Sequence, residues 1–161
     1  MSRREQIRMT QKEIESYLRS HCRITIISNG SNGYPHPMPM NFVINPDGSI
    51  EMTTYKKSQK VINLQRDKKA TLLVETGDSY ESLKSVLIQA DSEVIDNWKS
   101  TVECMKACRS HANKVRGESP SKDEDSAFDE SSKRRSEKRL VLRFIPRHYI
   151  SWDHSKLKGV Y

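Results

Sequence analysis

The sequence lacks long hydrophobic runs and is poor in cysteine. No apolar segment approaches the roughly 20 residues that a membrane-spanning helix needs, and no hydrophobic segment follows residues 1–6. We therefore expect no membrane association and a cytoplasmic location. Three cysteines, Cys22, Cys104 and Cys108, cannot all pair within one chain, which favours reduced thiols.

Apolar residues are also few for a chain of this length. They make up 34% of the 161 residues, whereas charged residues make up 30%. One domain is expected at this length, with part of the chain outside the core or with an oligomer that buries more surface. The net charge of +7 favours anionic partners without choosing among nucleotides, nucleic acids and membrane surfaces.

Strand patterns dominate the rest of the chain. A capping box in Thr10-Gln11-Lys12-Glu13 predicts a helix over 10–20, and a serine cap at Ser58 predicts a short helix over 58–66. Turn residues separate the β-branched and apolar segments that predict strands, which are 22–28, 38–44, 49–54, 70–75, 83–96, 139–146 and 148–153. The pattern predicts a mainly β fold, a barrel or a sandwich with peripheral helices.

One segment differs in composition from the rest. Residues 97–116 carry a loose helical pattern, and 117–138 contain Gly, Ser, Pro and dense mixed charge with Phe128 as the one large apolar residue. Such a segment cannot bury enough apolar surface to form its own core. We predict a mobile charged insertion at 117–138 within a single domain over 1–161.

The stretch TTYKKSQKVINLQRD places cations at the start of the predicted short helix. Helix amino termini offer unpaired N–H groups and a partial positive charge, which suit a phosphate. Lys57 and Lys60 would neutralise such an anion while the Ser58 hydroxyl donates a hydrogen bond. Solvated lysines at a helix start are the alternative interpretation.

The order of these parts resembles a known family. The segments NGSNGYPHPMPMNFV, IEMTTYKKSQKVINLQRDKKATLLVE and KRLVLRFIPRHYISWD are similar to those of the pyridoxamine 5'-phosphate oxidase-like FMN-binding split barrels, which include deazaflavin (coenzyme F420)-dependent reductases. The resemblance spans nearly everything except about 100–137, and T-x(3,4)-S-x-K-x-x-N-L is its most specific part. It implies a split β-barrel that forms one subunit of a homodimer.

The resemblance also implies a cofactor site. The cofactor phosphate would lie at Lys57, Ser58 and Lys60, and Lys56 would be a possible donor to the ring. The flavin ring would lie along the second and third strands, at Met38, Pro39, Met40, Asn41, Phe42, Met52, Thr53 and Thr54. We interpret Asn63 of the short helix first as a structural residue and only second as a cofactor ligand.

The implied function is an FMN-dependent oxidoreductase with an unidentified small-molecule substrate and with its cofactor at the interface of a homodimer. The alternatives are an F420-dependent reductase of the same fold and a flavin- or haem-binding protein without turnover. The ending, residues 151–161, looks unlike the arginine-containing signature that the true oxidases use for substrate phosphate. Oxidation of vitamin B6 is therefore not expected.

Other constellations favour ordinary structural roles. Cys104, Cys108 and His111 share one helix face, but a fourth metal ligand is missing, so no metal site is predicted. His36 is interpreted as a surface turn residue rather than an acid or base. The basic run 133–135 lies next to acidic residues and lacks stacking aromatics, so we predict a solvated loop and no nucleic-acid binding.

Overall fold

The computed structural model describes residues 2–119 and 130–157, which form one seven-stranded antiparallel sheet in the order β2-β1-β5-β6-β7-β4-β3. The strands are β1 Arg23–Asn29, β2 Pro35–Asn41, β3 Val43–Ile44, β4 Ile50–Tyr55, β5 Lys69–Thr76, β6 Lys84–Ile95 and β7 Arg139–Asp153. The helices are α1 Arg3–Gln6, α2 Gln11–Arg19, α3 Gln59–Arg66, α4 Trp98–Arg116 and α5 Glu130–Glu137, with 3-10 turns at Tyr80–Ser82 and His154–Leu157. The predicted mainly β class is confirmed.

A one-residue connection curls this sheet. Strands β2 and β3 are the two edges of the sheet, yet only Phe42 separates them in the chain. One residue spans less than about 4 Å, so the two edges must lie side by side. The sheet therefore closes on itself as a half-barrel, and Phe42, with 0% exposure, packs inside the seam.

Alternation along β7 separates two apolar layers. Leu140, Leu142 and Phe144 face the barrel interior, where they join the main hydrophobic cluster. Val141 faces the other way and packs with Cys104 and Cys108 of α4. Because residues two apart share a face of a strand, one strand supplies both layers. Helix α4 is thereby held against the outside of the barrel.

Helix α2 covers one end of the barrel. Its predicted capping box is present: Thr10 N–H donates to Glu13 Oε2 at 2.6 Å, and Glu13 N–H donates to Thr10 Oγ1 at 3.3 Å. The helix buries Ile14, Tyr17 and Leu18, and the Tyr17 hydroxyl lies 3.0 Å from the Lys84 carbonyl oxygen. Sequence and structure agree closely over this element.

Several predicted elements differ from the structure. The strand predicted at 38–44 is divided at Phe42 into β2 and β3, which lie at opposite edges of the sheet. Strand β2 begins at Pro35, because the prolines at 35, 37 and 39 sit on an edge strand where missing N–H groups cost no ladder bond. The strands predicted at 139–146 and 148–153 form one strand, with Arg147 bulged where the register with β6 shifts. Within 117–138, residues 130–137 form α5, which packs on α4. Residues 120–129 lie outside the described residues, and the mobility of the insertion remains a prediction.

Two other expectations concern the state of the cysteines and the presence of membrane-spanning helices. Cys22, Cys104 and Cys108 are buried free thiols. In the part of the chain that the structure describes, every helix is too short or too polar to cross a bilayer.

Replacing Phe42 by alanine tests the closure of the sheet. The cavity at the seam should lower the free energy of unfolding by about 3 to 5 kcal/mol in urea denaturation. Tyr34→Ala is the control, because this large side chain is 75% exposed and its loss should cost less than about 0.5 kcal/mol. A loss below about 1 kcal/mol for Phe42→Ala would contradict a seam that depends on this ring.

The cap of α2 should make stability depend on pH. Hydrogen bonds from Lys156 and from the Thr10 N–H lower the pKa of Glu13 from 4.5 to about 2. A folded-state pKa below the unfolded one adds stability above the unfolded value, and that stability disappears as the pH falls towards 2. Glu13→Gln should therefore be less stable than the unchanged protein at neutral pH, and the difference should shrink towards about pH 3.

The control for this experiment is Glu15→Gln on the same helix, whose carboxylate accepts a hydrogen bond from Gln11. Urea titrations across the pH range should show a smaller pH-dependent difference for this variant. A constant difference between Glu13→Gln and the unchanged protein at all pH values would rule out the electrostatic explanation.

Candidate functional site

A large groove lies between the sheet and helix α4. Its volume is about 1070 Å³, and its walls come from β2, β4, α4 and α5 together with the starts of β1 and β7. Four of the residues predicted to flank a cofactor ring line it: Pro39, Met40, Asn41 and Thr53. The structure thus brings the second and third predicted strands together on one concave surface.

The other residues predicted along the ring lie apart from this groove. Phe42 and Met52 are fully buried in the core, and Met38 is partly buried against it. Only their backbone could contact a ligand on the outer face. The Thr54 side chain is buried too, and its Oγ1 lies 3.2 Å from Ser58 Oγ at the next turn of the chain.

We call the turn from Tyr55 to Lys60 the corner, because it joins β4 to α3. Ser58 is the residue before the helix, as predicted, but its hydroxyl donates to the Tyr55 carbonyl oxygen at 2.8 Å. The predicted side-chain cap is therefore wrong, because the hydroxyl closes the preceding turn instead. Among the described residues, the N–H groups of Gln59 and Lys60 have no acceptor. The start of α3 keeps free hydrogen-bond donors.

Lys60 corrects a second expectation. The sequence places it at a solvent-facing corner, yet its side chain is only 6% exposed. Burial lowers the pKa of its ammonium group, and no described carboxylate pairs with it. Its nitrogen still reaches solvent, since Ser92 Oγ is the one fully buried side-chain polar atom without a partner in the described part of the chain. The buried stem holds this ammonium group at the corner, and a bound anion would offset the burial that disfavours its charged form.

The neighbours of Lys60 have distinct roles. Asn63 is fully buried, donates to Ser28 Oγ at 3.1 Å and accepts from Gln59 at 2.9 Å, which matches its predicted structural role. Lys56, considered as a donor to the ring, forms an ion pair with Asp96 at 2.6 Å. These contacts hold the corner in place and leave Lys57, Ser58 and Lys60 as its candidate ligands.

Tyr55 and Arg139 connect the corner to the groove. The Arg139 guanidinium lies 4.1 Å from the centre of the Tyr55 ring, and Arg139 also lines the groove. The Tyr55 side chain is 55% exposed at the head of the corner. A single ligand could therefore contact both the corner and the groove.

The groove is strongly basic. Its lining includes one carboxylate, Glu118, and seven cationic side chains: Arg23, Lys106, Arg109, Lys114, Arg116, Arg135 and Arg139. Sequence reasoning missed these residues as site candidates. A signal was present, because Lys106, Arg109 and Arg116 follow helical spacing and therefore share a face of α4. A helix face can be recognised from spacing, but the surface that it opposes cannot.

The remaining candidates do not form a site in the described residues. The Cys104 and Cys108 sulfurs lie 3.9 Å apart in a buried layer, whereas His111 Nε2 lies 2.8 Å from the His21 carbonyl oxygen. No described group of three His, Cys, Asp or Glu side chains is placed to hold a metal ion. The Cys108 contact and burial raise the pKa of Cys104, so this thiol stays protonated.

Two smaller expectations were wrong about local structure. His36 lies in strand β2 opposite Ser28, not in a turn, because the strand begins earlier than predicted. Lys133 and Arg135 lie on helix α5 rather than in a solvated loop, and the Lys133 ammonium sits 6.0 Å from the Trp98 ring centre. The packing of α5 on α4 brings Arg135 to the groove.

Comparisons with known proteins agree with this architecture. The conserved hypothetical protein Rv2991 of Mycobacterium tuberculosis matches with a TM-score of 0.81 and 26% identity over 100% of this chain and 95% of that one. A structure named F420 reductase matches with a TM-score of 0.58 and 15% identity over 84% and 94% of the two chains. HutZ, the haem storage protein of Vibrio cholerae, matches with a TM-score of 0.61 and 12% identity over 90% and 97%. No curated protein matches the sequence.

These structures share the curled antiparallel sheet, so the predicted split β-barrel is confirmed. The family model described as pyridoxamine 5'-phosphate oxidase matches residues 10–153, from the cap of α2 to the last residue of β7. That range contains the corner, both strands beside the groove and the whole sheet. The chain therefore belongs to the pyridoxamine 5'-phosphate oxidase-like family of split-barrel proteins.

Proposed function

We propose that the protein is an FMN-dependent oxidoreductase that acts on a small molecule as a homodimer. The observation that carries this proposal is the donor set at the corner. Lys60 has a buried side chain without a described anionic partner, and it lies beside Lys57 and two free backbone N–H groups. The Ser58 hydroxyl would have to turn away from the Tyr55 carbonyl oxygen to join these donors. A phosphate monoester, with several acceptor oxygens and up to two negative charges, matches these donors.

The residues present fit a flavin as well as its phosphate. Pro39 and Met40 offer apolar surface for a flat ring, and Asn41 and Thr53 offer hydrogen-bonding groups on the same wall. When bound, the flavin would supply hydride transfer, which no side chain can provide. The chain's own residues would fix the phosphate at the corner, position the ring in the groove and shield it from water on the α4 side.

A deazaflavin cofactor, F420, is the second candidate. Its anionic tail is longer than the phosphate of FMN, and the basic charge of the groove supports this option. A relative of the same fold is named F420 reductase. Binding without turnover is the third option, since another relative is named a haem storage protein. The visible spectrum of the loaded protein separates a flavin, a deazaflavin and a haem.

The homodimer is part of the proposal because one subunit leaves apolar surface exposed near the corner. Ile62 of α3 is 49% exposed and Tyr55 is 55% exposed. A second subunit over this surface would cover the outer side of a bound ring. Light scattering on the eluting protein gives the mass of the assembly directly.

A corner variant tests the phosphate site. Ser58→Ala with Lys60→Met keeps the buried volume of the lysine stem but removes its charge and the hydroxyl. Loss of charge-assisted hydrogen bonds should weaken FMN binding by about tenfold or more in a fluorescence titration. Riboflavin, which lacks the phosphate, should bind both proteins with similar affinity.

Lys68→Ala is the matched control, because this exposed lysine follows the other end of α3. It should bind FMN as the unchanged protein does. Equal loss of FMN and riboflavin in the corner variant would mean a damaged fold rather than a lost phosphate site. Full retention of FMN affinity would remove the corner from the site.

Turnover is tested separately from binding. An oxidoreductase should show anaerobic bleaching of its bound cofactor by a pyridine nucleotide, or by reduced deazaflavin, under single-turnover conditions. The corner variant should bleach more slowly at low FMN concentration and approach the same rate when FMN is saturating. A protein that binds flavin but is bleached by neither donor is a carrier or a sensor.

A further inference from the structure

Helix α4 carries a pair of thiols that the proposed function does not use. Cys104 and Cys108 stand one helical turn apart, and their sulfurs lie 3.9 Å from each other. The third thiol, Cys22, is also buried but forms no such pair in the described part of the chain. Two neighbouring sulfurs can be joined by a two-electron oxidation, whereas an isolated thiol has no partner with which to close a bridge.

The two thiols of the pair differ in their access to solvent. Cys108 lines the groove together with Met105, whereas Cys104 does not line it and packs in the layer with Val141. A small oxidant in the groove therefore meets the Cys108 sulfur first. The Cys108 contact and burial raise the pKa of Cys104, so this thiol keeps its proton and suits the second step of an oxidation rather than the first.

We propose that Cys104 and Cys108 form a reversible disulfide when a small hydroperoxide enters the groove, which makes α4 a redox-sensitive wall of that groove. The geometry that supports this site is the short distance between the sulfurs, together with the position of Cys108 at the groove surface. The inference does not depend on which cofactor the protein binds.

The reaction has two steps. The Cys108 thiolate attacks one oxygen of the hydroperoxide and becomes a sulfenic acid; the O–O bond breaks, and the departing oxygen takes up a proton and leaves as water or an alcohol. The Cys104 sulfur then attacks the Cys108 sulfur. The S–O bond breaks, and the hydroxyl leaves with the Cys104 proton as water. The two thiols lose two electrons, which the peroxide gains.

The new bond changes the geometry of α4. Helix positions four residues apart hold their Cβ atoms about 5 to 6 Å apart, whereas a disulfide needs about 3.5 to 4.5 Å. The sulfurs must also close from 3.9 Å to about 2.05 Å. The turn between the cysteines therefore has to distort, and Met105, which lies in this turn and lines the groove, moves with it. A strained bridge is readily reduced, which makes the modification reversible.

Peptide mapping of the unchanged protein tests the bridge directly. Because Lys106 separates the two cysteines, trypsin places them in different peptides, 100–106 and 107–109. The native protein is treated with hydrogen peroxide, its remaining thiols are alkylated, and the digest is analysed by mass spectrometry. The two peptides should appear as one linked species that a reductant separates, while Cys22 stays available for alkylation.

Single variants assign the two steps. Cys104→Ala should stop at a Cys108 sulfenic acid, which dimedone traps, whereas Cys108→Ala should slow the oxidation of Cys104 by about tenfold or more. Cys22→Ala is the matched control, because it removes a buried thiol outside the pair and should form the bridge at the rate of the unchanged protein. Thermal midpoints report whether each variant folds.

Hydrogen exchange tests the effect on the helix. Amides of 104–110 should exchange about tenfold faster in the oxidised protein than in the reduced one, since the bridge distorts their turn, and a reductant should restore the slow rate. Amides of β5 should not change. Peroxide-treated Cys104→Ala, which cannot close the bridge, should show no such increase.

Several results would overturn the proposal. They are oxidation of Cys22 before the pair, a Cys108 that proceeds to a sulfinic acid without a linked species, and a pair that stays reduced in excess peroxide. A bridge between two chains, or a bridge within α4 that leaves its hydrogen exchange unchanged, would also contradict it. These measurements do not involve FMN, so their failure and the failure of the proposed function are distinguishable.

Discussion

The position of Phe42 determines most of the architecture around the candidate site. It is the one residue between β2 and β3, the two edge strands of the sheet. A connection of one residue can join these strands only if the two edges of the sheet lie side by side. Closure brings Pro39 and Asn41 of β2 next to Thr53 of β4, although they are far apart in the order of the sheet. A surface formed from β2 and β4 exists only while the seam is packed.

Residues on the two faces of β4 and β7 have different structural roles. Inward residues such as Met52 and Leu142 fill the barrel, and outward residues such as Thr53 and Val141 meet α4 or the groove. Since a strand alternates with a period of two, adjacent residues serve different purposes. The ring-binding run 38–42 remains a prediction, and three of its side chains, those of Pro39, Met40 and Asn41, line the groove. Phe42 of the same run is buried in the core instead.

The features that could be predicted from the sequence are those that depend on interactions between residues close together in the chain. The capping box of α2 and the positions of most strands depend on neighbours a few residues away, and these predictions were correct. The burial of Lys60 depends on how α3 lies on the sheet, and the helix pattern did not contain that information. The groove cations were missed for a related reason, because Arg23 and Arg116 come to line one groove only through the packing of α4 on β4 and β7. The resemblance to a family supplied the corner but excluded the segment that carries most of the groove.

The corner and the groove differ in how they present positive charge. At the corner, the stem of Lys60 is buried and the free N–H groups of α3 are fixed by the backbone, so little reorganisation would accompany the binding of an anion. In the groove, Lys114 and Arg116 are exposed, and salt screens their field within about 10 Å at 0.1 M. The first arrangement favours affinity for one compact group of defined geometry. The second favours tolerance of anions that differ in length.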